Sequence, residues 1–187
     1  MSSIYIQHII TVILLIAGII IYIKRGRKVH IEKSYYESGE LGAERTFKGN
    51  KLDGKCIEYF ENGKIKRECT FKKNKIDGEF KTYYDNGKLE EIGCVSKGKP
   101  AGNFKTYYRN GKLKEEGQYE NGKLVGTIKS YYENGNLKEE GEFKNGIADG
   151  ICKSYYKNGQ LKQKVTIKQG VLTSPYEIYD ENGKKQV

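Results

Sequence analysis

Four kinds of side chain in this sequence could do chemistry: thiols, adjacent carboxylates, imidazoles and a run of evenly spaced phenols. The thiols are Cys56, Cys69, Cys94 and Cys152. Zinc would need paired Cys-x-x-Cys spacing or His residues nearby, and neither is present, so no metal site is expected. Glu90-Glu91, Glu115-Glu116 and Glu139-Glu140 would suit acid–base work only if both members of a pair reached one bond. The two imidazoles, His8 and His30, stand at no spacing that matches a Cys or Ser nucleophile. No Gly-x-x-x-x-Gly-Lys-Ser/Thr loop is present to cradle a phosphate. The phenols are the most regular feature: Tyr35, Tyr59, Tyr83, Tyr107, Tyr131, Tyr155 and Tyr179 recur every 24 residues. Each opens a short signature that closes on a Gly, at positions 39, 63, 87, 111, 135, 159 and 183, and in the first six a second aromatic residue follows the Tyr.

That period dictates the elements. Self-similarity at a fixed interval marks a repeat array in which each unit buries surface against its neighbours. Gly occurs 23 times, Tyr 16 times and Pro twice, which suits strands joined by tight turns. Asn-Gly favours a two-residue type I′ turn, because both central positions need positive φ. Counting outward from Asn110-Gly111 pairs Tyr108 with Leu113, Tyr107 with Lys114, Lys105 with Glu116 and Phe104 with Gly117. The second connection of each unit, such as Asn121 to Gly126, reads as a longer turn that delivers the chain to the next hairpin. The expected fold is all-β: one elongated antiparallel β-meander of seven hairpin repeats over residues 35–187. At ~4.8 Å between strands it would be about 60–70 Å long.

Alternation then assigns faces. Tyr108, Leu113 and Phe104 fall on an apolar face, with Phe104 over the bare backbone of Gly117. The other face carries Lys105 opposite Glu116, Lys129 opposite Glu140, and the first Tyr of every signature. Tyr59, Tyr83, Tyr107, Tyr131 and Tyr155, with Lys105 and Lys129, are the candidate partner-binding ladder; the competing reading packs these rings on neighbouring Lys stems. Adjacent carboxylates point to opposite faces, so no catalytic residue is expected and the chain reads as a non-enzyme without a cofactor. Cys56 falls opposite Cys69 at the short end of disulfide geometry. A cross-strand disulfide and a pair of small apolar residues both fit. Cys94 is expected on the wet face and Cys152, opposite Val165, on the apolar one. Charged pairs, Glu32 with Arg45 and Asp180 with Lys185, cap the two ends.

After a short tail at 1–3, Ile4–Ile23 holds no formal charge and is long enough to span a bilayer as a transmembrane helix. A cleaved signal peptide would require a basic n-region and a small-x-small site, which are missing. Lys24, Arg25, Arg27 and Lys28 follow directly, in a basic linker at 24–34, and the positive-inside rule then places the repeats in the cytoplasm. The same cluster could hold anionic lipid head groups. The net charge of +10 less those four is +6, spread over a mixed surface, and no nucleic-acid partner is expected.

The run Tyr-Tyr-Glu-Asn-Gly-Asn-Leu-Lys-Glu-Glu-Gly-Glu-Phe-Lys-Asn-Gly at 131–146, followed by Asp149-Gly150, resembles the variant MORN repeat of bacterial YwqK-type antitoxin-like proteins. The resemblance implies a hairpin sheet used for protein interaction, with lipid contact in some members and a toxin as the partner to be neutralised. With the anchor, it implies a single-pass protein of the bacterial inner (cytoplasmic) membrane. The alternative function is peripheral binding of an anionic phospholipid surface by the basic, Tyr-rich face.

Overall fold

The computed structural model describes residues 21–23 and 29–186. Sixteen strands follow one another in chain order: β1 (Ile21–Ile23), β2 (Val29–Tyr35), β3 (Leu41–Lys48), β4 (Lys51–Tyr59), β5 (Ile65–Lys72), β6 (Lys75–Tyr83), β7 (Leu89–Ser96) and β8 (Lys99–Tyr107). The second half comprises β9 (Leu113–Glu120), β10 (Lys123–Tyr131), β11 (Leu137–Lys144), β12 (Ile147–Tyr155), β13 (Leu161–Lys168), β14 (Val171–Leu172), β15 (Glu177–Tyr179) and β16 (Lys185–Gln186). They form one 16-stranded antiparallel sheet in which sequence neighbours pair, with β13 bordered by both β14 and β15. This is the expected all-β meander of tandem hairpins. β2 begins at Val29, inside the stretch read as a linker. The expected span at 4–23 and the basic cluster at 24–28 lie outside the described residues, save Ile21–Ile23, which pair with β2. Among the described residues no helix is long and apolar enough to cross a membrane.

The two kinds of turn are exchanged relative to the sequence expectation. At Asn110-Gly111, the Gly111 N–H donates to the Tyr108 carbonyl and the Tyr108 N–H to the Lys112 carbonyl, at 2.7 and 2.8 Å. Only Gly111 has positive φ, at +91°. This is a three-residue loop, a type I turn closed by a left-handed glycine. Asn110 stays out of the left-handed region because its Oδ1 accepts the Lys112 N–H at 2.9 Å. The two-residue turns lie instead at the second connection, where Asn121 and Gly122 have φ of +51° and +82° and Lys123 pairs with Glu120.

The extra loop residue is absorbed by a bulge. Tyr107 pairs with Leu113 rather than Lys114, so Tyr108 is not opposite Leu113, yet Thr106 pairs with Glu115 and the strand body runs in the expected register. Lys105–Glu116, Phe104–Gly117, Cys56–Cys69, Cys152–Val165 and Glu32–Arg45 all pair as counted. Asp180 does not pair with Lys185. Tyr179 takes that position, because Asp180 Oδ1 caps the last turn by accepting the N–H groups of Asn182 and Lys184.

A single layer leaves little interior. The buried apolar residues are Ala43, Cys56, Cys69, Phe104 and Val165, and cohesion comes from the strand ladder and same-face neighbours. Consecutive repeats are also laced along the edge that bears the aromatic turns. Where the second residue of the signature is Tyr, it donates its hydroxyl to the first Tyr carbonyl of the next repeat: Tyr84 to Tyr107 at 2.7 Å, Tyr108 to Tyr131 at 2.6 Å, Tyr132 to Tyr155 at 2.7 Å. Asn86 and Asn134 add Nδ2 bonds to the carbonyls of Arg109 and Lys157, at 3.1 and 2.8 Å. Phe60 interrupts this series, so Phe60→Tyr supplies the missing donor and is expected to stabilise the sheet by about 1 kcal/mol in urea denaturation.

Candidate functional site

The alternation of each strand sends one row of side chains across the whole sheet on either face, and the two faces have different chemistry. On the ladder face, Lys105 pairs with Glu116, Lys129 with both Glu116 and Glu140, and Lys153 with Glu140. Ion pairs follow the row: Lys33–Glu44 at 2.6 Å, Lys105–Glu116 at 3.2 Å and Lys153–Glu140 at 3.0 Å. Each is half-exposed, so its contribution to stability is small.

The candidate tyrosines stand beside this row and bond to it. Tyr83 donates to Glu68 at 2.9 Å, Tyr131 to Glu116 at 2.8 Å and Tyr155 to Glu140 at 2.8 Å, while Tyr59 reaches Glu44 at 3.4 Å. These bonds hold Glu68 and Glu116 below their ordinary carboxyl range, with the Tyr hydroxyl the largest cause; for Glu140, Lys153 comes first and Tyr155 assists. Burial, then the Glu116 carboxylate, pushes Tyr131 up to about 12. Tyr107 differs. Ile92 pairs with Lys105, where the neighbouring repeats place a carboxylate. Tyr131→Phe is therefore expected to cost about 1 kcal/mol and Tyr107→Phe almost nothing, measured side by side in urea.

Cys56 and Cys69 face each other as free thiols, 2% and 4% exposed, while Cys94 pairs with Ala101 on the ladder face. A hydrogen bond from Cys69 favours the Cys56 thiolate and lowers that thiol, and the same interaction pushes Cys69 up. Arg45 and Arg67 add a smaller pull toward the thiolate at Cys56. Diamide oxidation followed by non-reducing peptide mapping separates the two readings: a Cys56–Cys69 crosslink is expected, with Cys94 and Cys152 still alkylated, and two unlinked thiols would leave only the apolar role.

The other face is a trough. Depressions of about 480, 330 and 480 Å³ follow one another along it. The last has a floor of Leu124, Ile128, Phe143, Cys152 and Val165, bordered by Glu115, Ser130, Glu139, Ser154 and Gln163. Adjacent carboxylates divide between the faces as expected: Glu115 pairs with Thr106 and Glu116 with Lys105. Burial and the neighbouring Glu90 charge raise Glu91 above its ordinary value. Among the described residues no group of three or more His, Cys, Asp or Glu side chains could hold a metal ion.

Compared with known proteins, no curated protein matches the chain. A family model described as the MORN repeat variant matches residues 52–73, 76–96, 101–121, 124–145 and 148–169. Each match spans one aromatic turn, with its three-residue loop, and the strands that flank it, so the matched unit is the hairpin seen in the sheet. With more than half of its length in these five matches, the chain belongs to the MORN repeat variant family.

Proposed function

We propose that this chain is a membrane-tethered scaffold that holds a protein partner on its sheet, with neutralisation of a toxin, as the YwqK-type likeness implies, its most specific form. Repeats of this family generally take part in protein or membrane–lipid interactions. Ile4–Ile23 is the tether, and Lys24, Arg25, Arg27 and Lys28 orient the repeats toward the cytoplasm of a bacterial cell. The chain acts by binding, without catalysis or a cofactor of its own.

One observation carries this reading. The trough combines an apolar floor with Glu115 and Glu139, which make no hydrogen bond or ion pair, and among the described residues no second layer covers it. Apolar surface bordered by polar groups is the composition of a protein-binding patch. The second reading, a lipid-surface binder using Tyr59, Tyr83, Tyr107, Tyr131, Tyr155, Lys105 and Lys129, draws support from the basic character of the ladder face. It is weaker because Lys105 and Lys153 are already matched by Glu116 and Glu140.

A fragment beginning at Val29 tests the choice. Stable co-purification with one protein from the native cell, without flotation on vesicles containing phosphatidylserine, is the expected result. Flotation with no protein retained would establish the lipid reading instead.

A further inference from the structure

The trough contains a second lateral row in which carboxylates alternate with hydroxyls. Glu91 pairs with Thr106, Thr106 with Glu115, Glu115 with Ser130, and Ser130 with Glu139. Carboxylates therefore recur on every second strand, about 9.6 Å apart at the ordinary strand spacing. Their counterparts on the ladder face, Glu68, Glu116 and Glu140, are bonded to Tyr and Lys. Glu91, Glu115 and Glu139 have no hydrogen bond or ion pair among the described residues. The hydroxyls between them, Thr106 Oγ1 and Ser130 Oγ, are buried and unpartnered as well. The apolar floor of Leu124, Ile128 and Phe143 lies alongside the same row.

We propose, building on the scaffold reading, that the trough binds an amphipathic α-helix of the partner, laid across the strands, with Lys or Arg at seven-residue intervals over Glu91, Glu115 and Glu139. Seven helical residues advance about 10.5 Å, within about 1 Å of the spacing between the carboxylates, and flexible basic side chains absorb the difference. The apolar side of the helix rests on the floor. An extended segment crossing the strands would lose water from its backbone N–H and C=O groups without finding ladder partners, whereas a helix satisfies them internally. Phosphate-bearing ligands are repelled by the same three carboxylates.

The test uses the full-length chain in nanodiscs of zwitterionic lipid and a synthetic helical peptide of about three heptads, with Lys once per heptad and Leu on the flanking positions. Two control peptides carry Glu in place of Lys, or Lys at every fifth position. Fluorescence anisotropy should show the heptad-Lys peptide binding at least about tenfold more tightly than either control. The combined Glu91→Gln, Glu115→Gln and Glu139→Gln variant should remove that preference with unchanged circular dichroism, since these carboxylates make no hydrogen bond or ion pair in the sheet. Reversal of all three to Lys should transfer the preference to the Glu peptide. Equal binding of the Lys and Glu peptides, or an undiminished preference in the Gln variant, overturns the proposal. So does loss of binding only when Tyr107, Tyr131 and Tyr155 are changed to Ser. If no peptide binds while the Val29 fragment retains a protein, the helix proposal fails and the scaffold stands; vesicle flotation with no protein retained removes both.

Discussion

Gly117→Val should be severely damaging in the body of a strand. A Cβ at Gly117 would sit 2.8 Å from Phe104 Cε1 and would also collide with the Ile128 side chain. Phe104 is one of the few buried side chains of the sheet, paired directly with Gly117 and in tilted contact with Tyr119, ring centroids 5.0 Å apart. A single layer offers no opposite wall into which the ring can retreat without exposing itself to water. Overpacking of this kind costs about 1–3 kcal/mol, and the lost burial of Phe104 adds to it. A thermal melt should show a lowered transition for Gly117→Val. Gly111→Ala, in the aromatic turn, crowds only the flexible end of Lys88 and is penalised chiefly through its φ of +91°. A Gly117→Val protein as stable as the parent would mean that the ring does not lie on the glycine backbone.

Acid should weaken the sheet through the ladder face. Glu68, Glu116 and Glu140 are held below the ordinary value of 4.5, and Glu177 is brought down to about 2 by Lys164, Lys185 and Tyr179. A carboxyl whose folded pKa is depressed binds protons more readily when unfolded. Its contribution is complete above about pH 4.5 and is lost as pH falls toward 2. Glu91 has the opposite sign. Its raised value means that the charged form opposes folding at neutral pH, a penalty that disappears once both states are protonated. Denaturant midpoints should therefore decline from pH 5 to about pH 2. Glu91→Gln should be more stable than the parent at pH 7 and indistinguishable from it at about pH 3. Glu116→Gln should be less stable at pH 7.

These contrasts show where the sequence was informative. The 24-residue period and the body register could be counted, since a strand side chain has only two faces and Lys105–Glu116 and Cys56–Cys69 follow from position alone. The turns could not, because Asn-Gly occurs at both connections. The side chain of Asn110, accepting from Lys112, holds its own backbone out of the left-handed region, and a two-residue count has no access to that bond. The lacing of Tyr108 to the Tyr131 carbonyl joins residues 23 apart, in different hairpins, and cross-strand counting stops at one hairpin. The trough was hidden for a different reason. Counting sends Glu115 and Glu116 to opposite faces, but only the structure shows that Lys105 and Tyr131 bond Glu116 while Glu115, in the trough, has no hydrogen bond or ion pair.

The scaffold account is tested most directly by photocrosslinking in the native membrane. A photoreactive residue replaces Gln163, at the border of the trough, or Lys105, exposed on the ladder face. The account predicts one discrete adduct with a single protein from position 163 and none from position 105. An adduct from position 105 alone, or labelling of lipid with no protein adduct from either position, would contradict it.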